Sequence, residues 1–142
     1  MSTRSKIGIL NQDGTVSAIY CHFDGYLEHN GKILNESYTE EGKVRELIGL
    51  GDLSCLGKEI GEPQDFNSPR DRDWCLAYGR DRGEDNTEAD IYKDKKEFID
   101  SLDGSWAEYA YLFTENGWEV LDNHSRPKVF RNLKEELKLI VN

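Results

Sequence analysis

Residues 19–26 read IYCHFDGY. Cys21, His22 and Asp24 fall within four positions. Those side chains are a nucleophile, a base and a carboxylate able to orient it. Their order limits what they can do together. On a strand, successive side chains point to opposite faces. Tyr20 and His22 then share one face, and Cys21 and Phe23 the other. Cys21 and His22 diverge, so they cannot pair as nucleophile and base. A base for Cys21 must come from His29 or His124. His22 and Asp24 share a face if the strand runs that far, which permits a carboxylate-oriented imidazole. These three are the catalytic candidates. The structural alternative is a buried Cys, a hydrogen-bonded His and an Asp in a turn. A metal site needs three or four ligands, and no recognised spacing supplies them, so no metal and no cofactor are expected.

The second constellation is PRDRDWCLAYGRDRGEDN, residues 69–86. Four of the eight arginines stand here: Arg70, Arg72, Arg80 and Arg82. The span 59–90 has no lysine and sets ten acidic residues against these four, a net charge of −6. Arginine clamps phosphate or carboxylate bidentately, which lysine does poorly. The four arginines are therefore candidates for holding a small anionic, nucleotide-like ligand. The alternative is that each Asp neutralises a neighbouring Arg. Asp81, Glu84, Asp85, Glu88 and Asp90 are candidates for contact with a partner. Their spacing is not that of an EF-hand loop. No glycine-rich phosphate loop, G-x-S-x-G elbow or HExxH helix occurs. That leaves catalysis open and tilts the reading toward a non-enzyme.

Totals narrow the partners. The 142 residues carry 18 Lys and Arg against 28 Asp and Glu, a net charge of −10. This argues against direct binding to nucleic acid or an anionic membrane, since both need positive surface. It suits a basic protein surface, mimicry of nucleic-acid charge, or plain solubility. The three cysteines, Cys21, Cys55 and Cys75, have no short spacing. A disulfide framework or four-ligand zinc site is not expected, and a reducing cytoplasm is. The opening MSTRSKIGIL lacks a signal peptide's apolar run, and no stretch approaches a membrane span.

The elements that position these residues follow from periodicity. Residues 6–23 read as a hairpin turning at Asp13-Gly14. Residues 106–123 read as a second, with Asn116-Gly117 predicting a tight type I′ turn. Residues 39–51 read as a helix capped by Thr39, with Val44, Leu47 and Ile48 on one face. Shorter helices are expected over 28–37, 94–102 and 132–141, the last with Leu133, Leu137, Ile140 and Val141 on one face. Residues 73–79 read as a buried strand. Loops are expected over 57–72 and 80–91, and loops of that length are usually functional or disordered. The order predicts one α+β domain over 1–142: a mostly antiparallel sheet of about five strands, with helices on one face.

The run TRSKIGILNQDGTVSAIYCHFDGYLEHNGKIL, residues 3–34, resembles a family of small bacteriophage and prophage proteins. The matching residues are Thr3, Arg4, Ser5, Ile7, Gly8, Ile9, Asp13, Gly14, Ile19, Tyr20, Cys21, His22, Asp24, Gly25, Tyr26, Gly31 and Leu34. LIGLGDLSCLG and AYGRDRGE also resemble that family, so the similarity spans roughly residues 3–84. It assigns no activity and no functional residue. It implies a phage or prophage origin and the bacterial cytoplasm. Small, acidic, motif-poor phage proteins often act by binding a host factor. The expectation is therefore an inhibitor of a host protein with a basic surface, such as a defence component. Binding or hydrolysis of a small anionic, nucleotide-like ligand through the Arg-Asp-Arg segments is the alternative. Homo-oligomerisation stays open.

Overall fold

The computed structural model describes residues 2–69 and 71–140. Both hairpins form. In the first, β1 (Arg4–Leu10) and β2 (Val16–Cys21) pair antiparallel from Ser5↔Cys21 to Leu10↔Val16. Gly14 takes the left-handed conformation, φ 89°, and the Asp13 carboxylate accepts the Thr15 N–H at 3.0 Å. That is the Asp-Gly turn the sequence predicts.

The second hairpin pairs β6 (Ala107–Thr114) with β7 (Gly117–Asp122). Its turn differs from expectation. Thr114 faces Gly117, so Glu115 and Asn116 are the central residues. Only Gly117 has positive φ, 93°, whereas a type I′ turn needs it at both central positions. The Thr114 hydroxyl accepts the Asn116 N–H at 3.1 Å and fixes this alternative.

A parallel seam joins the hairpins, with Ile7 opposite Tyr111. Around it lie β3 (Leu53–Cys55), β4 (Leu76–Ala77) and β8 (Arg131–Asn132), in the order β4-β3-β2-β1-β6-β7-β8. A further strand, β5 (Asp90–Tyr92), also pairs with β2, antiparallel. β3 meets β2 in parallel at Cys21↔Leu53. The fold is α+β as expected, but the sheet is mixed and has eight strands among the described residues. The added strands are two or three residues long, too short for alternation to appear in the sequence.

Helices occupy both faces, a second departure from expectation. On one face, α1 (Lys32–Ser37), α2 (Glu41–Gly49) and α5 (Leu133–Ile140) cover Ile7, Ile9, Ile19 and Cys21 through Leu34, Val44, Leu47 and Leu133. A π-helical turn, Leu27–Gly31, leads into α1. On the other, α4 (Lys95–Asp100) sets Phe98 and the following Leu102 against Val16, Ala18, Ala110, Leu112 and Leu121. The α2 cap is Glu40, with no side-chain cap bond, so Thr39 does not serve as one. The expected strand over 73–79 shortens to β4, because the chain turns into α3 (Tyr78–Arg82). Val141 lies outside the described residues. Buried polar groups in the larger core find backbone carbonyls. Trp118 Nε1 donates to Tyr38 at 2.8 Å, and Tyr111 Oη to Gly25 at 2.6 Å.

Candidate functional site

The Cys-His-Asp segment does not assemble into a triad. Cys21 points into the larger core, fully buried. Its Sγ accepts from Asn30 Nδ2 at 3.4 Å, and burial pushes the thiol up to about 12. Tyr20 and His22 share the opposite face, as alternation predicts, and Tyr20 Oη lies 2.7 Å from His22 Nδ1. The strand stops at Cys21. Asp24 then takes φ 58°, which turns the chain, and its carboxylate accepts from Tyr26 Oη at 3.4 Å. His29 bonds Asn30 Oδ1 at 2.9 Å, and His124 lies 3.6 Å from Glu108. Among the described residues no group of three or more His, Cys, Asp or Glu is placed to hold a metal ion.

Arg80 and Asp81 form a closed knot. The Asp81 side chain has no exposed surface. Its carboxylate accepts Arg80 Nε at 2.9 Å, the Ala77 N–H at 2.8 Å and the Gln64 N–H at 3.0 Å. Burial raises the Asp81 carboxyl, but Arg80 and the two N–H donors outweigh it and hold the group below its ordinary value. Arg80 also donates Nη1 to the Ile60 carbonyl and Nη2 to the Cys75 carbonyl, each at 2.8 Å. Its guanidinium is thus committed to α3, β4 and the 60–64 loop.

Arg82 and Arg72 have other surroundings. Arg82 pairs with Glu84, its Nε donating at 2.8 Å. Its guanidinium sits 4.7 Å from the Phe66 ring centroid and 4.9 Å from that of Tyr78. Those rings stack on each other at 5.5 Å. Arg72 is exposed and lines a cleft of ≈ 270 Å³ with Lys32 and Glu36 of α1. Arg70 lies outside the described residues.

The carboxylates sort differently. Asp81 and Glu84 are neutralised by their neighbouring arginines. Asp85, Glu88 and Asp90 are exposed, and among the described residues none has a cation within ion-pair distance. The loop that presents them has two left-handed residues, Gly83 at φ 73° and Asn86 at φ 60°. Its far end is tied to the sheet by the Asp52 N–H, which donates to the Thr87 carbonyl at 2.7 Å. Glu88 and Ala89 then line a groove of ≈ 540 Å³ between β5 and the end of α2, with Ile9, Ile48, Leu50 and Ile91.

Comparison with protein-family models, curated proteins and solved structures finds no match. The chemistry of the site therefore rests on its own residues. Asp52, beside the same loop, was not legible as a participant. Burial raises its carboxyl, the Tyr20 N–H at 3.0 Å lowers it, and Asp90 raises it further. Only the tertiary crossing of 52 and 87 reveals this. Among the described residues no helix is long and apolar enough to cross a membrane.

Proposed function

We propose that this chain is a binding protein whose 84–90 loop docks on a basic surface of another protein. In the phage setting that the resemblance implies, the partner is a host factor in the bacterial cytoplasm, such as a defence component, and docking inhibits it. One observation carries the reading: Arg80 and Arg82 neutralise Asp81 and Glu84, while among the described residues the exposed Asp85, Glu88 and Asp90 have no cation within ion-pair distance. A surface of that kind attracts basic partners over a Debye length and repels acidic ones.

Affinity capture from a bacterial lysate, followed by native mass spectrometry and a salt titration, tests the reading. A basic partner is expected, with affinity that falls as salt rises. Combining Asp85→Asn, Glu88→Gln and Asp90→Asn should weaken it while the fold persists. Salt-insensitive binding, or binding unaffected by the three changes, removes the proposal.

A second reading, a small anionic ligand, is favoured by Arg82 on its two aromatic rings. A nucleotide-dependent rise in melting temperature that Arg82→Ala abolishes would support it. Arg80 is less suited, because four of its five N–H groups are committed within the knot.

A further inference from the structure

We infer that the outer edge of β5 receives an extended basic segment of the partner as an added strand. The inference rests on the basic-partner reading above and specifies how the partner is held. β5 pairs with β2 alone, through Ala18↔Asp90, Ser17↔Ile91 and Val16↔Tyr92. Among the described residues no other backbone hydrogen bond reaches it. A free edge of this kind is a template for strand addition, and proteins commonly blunt it with charge. Here the charge is of one sign at one end. Glu88 and Asp90 are exposed, with no cation in ion-pair distance among the described residues, so the edge repels acidic strands and favours basic ones.

Ile91 supplies the second half of the argument. It is 71% exposed, as much as Leu139 and less only than Trp106 among the large apolar side chains of the described residues. Its partner Ser17 lies on the α2 face of the sheet, with Ile19 and Cys21, so Ile91 points to that face as well. There it forms the mouth of the groove floored by Ile9 and walled by Ile48 and Leu50. An added strand places every second side chain on that same face. An apolar residue beside Ile91 would cover it and close the groove. The neighbours of that residue point to the Asp90 face and would be lysine or arginine. Beyond Tyr92 the exposed Lys93 and Asp94 cancel, so the excess negative charge, and with it the partner's basic end, lies over 88–90.

Nuclear magnetic resonance on the full, isotope-labelled chain tests this with three capped peptides. One alternates lysine and valine. The second is the same peptide with alternate amides N-methylated, which keeps its charge and removes strand hydrogen bonds. The third alternates glutamate and valine. The first should shift the Ile91 methyl resonances and slow exchange of β5 amides. The second should bind at least about tenfold more weakly, and the third should not bind. Ile91→Ala should weaken the first about fivefold with the fold intact, because the side chain is mostly exposed. Equal binding of the N-methylated peptide, unperturbed β5 amides, or no binding at millimolar concentration overturns strand addition. In the first two cases the basic-partner reading survives; salt-insensitive capture by the full chain removes that reading instead.

Discussion

Asp81 is a carboxylate with no route to solvent, surrounded by donors from three segments. Removing one partner of such a pair leaves an uncompensated buried charge. Asp81→Asn should lower unfolding stability at neutral pH by about 3 kcal/mol, measured by urea titration. The pH dependence has a definite sign. The folded carboxyl is held below its ordinary value, so its contribution is complete above the unfolded value, near 4, and is lost as pH falls through the lower folded value. The gap between wild type and Asp81→Asn should therefore shrink on acidification below about pH 4. A constant gap would mean that packing, not charge, is what the substitution removes. The cysteines give a second test at this scale. Burial raises all three thiols, Cys21 to about 12, but Cys21 and Cys75 are buried whereas Cys55 is partly exposed. Iodoacetamide at mildly alkaline pH should alkylate Cys55 first and reach Cys21 only in denaturant, as read by intact mass. Alternation alone placed Cys21 and His22 on opposite faces. The knot around Asp81 was not legible, because its donors at Gln64 and Ala77 and the carbonyls that hold Arg80 meet only in the folded chain.

At the scale of elements, Gly51 holds the loop and the sheet together. It ends α2 at φ 77°, and a Cβ there would lie 2.2 Å from the Thr87 carbonyl oxygen. Gly51→Ala therefore meets both backbone strain and a collision with main chain. It should cost about 2 kcal/mol or more and accelerate hydrogen exchange at Asp52, whose N–H bonds that same carbonyl. Wild-type protection at Asp52 in the variant would show that the crossing relaxes without cost. The hairpins were legible because their strands are contiguous and alternate. The seam between β1 and β6 was not, because parallel pairing across a hundred residues leaves no local signal. β3, β5 and β8 were missed for a related reason: two or three residues define no period.

For the whole molecule the governing quantity is the charge of −10. Like charges repel in the compact state more than in the expanded one. Raising salt from about 0.01 to 0.15 M shortens the screening distance from about 30 to 8 Å. The free protein should then melt about 2–4 °C higher, a shift that corresponds to roughly 1 kcal/mol at this size. The same salt should loosen any basic partner. Opposite responses in calorimetry and in binding would separate self-repulsion from attraction, and a melting temperature that falls with salt would contradict the account.

β3 and β5 lie end to end along one side of β2, and the main-chain bond from Asp52 to Thr87 rivets them to each other. The chain between them, which includes β4, returns to the sheet beside the point where it left β3. Tension applied to the acidic loop is therefore delivered first to that rivet, and through it to Tyr20, whose amide hangs on the Asp52 carboxylate. A guest tugging at this handle would be felt in the ring pair of Tyr20 and His22 on the far side of the strand, so the imidazole resonance can serve as a remote gauge of occupancy.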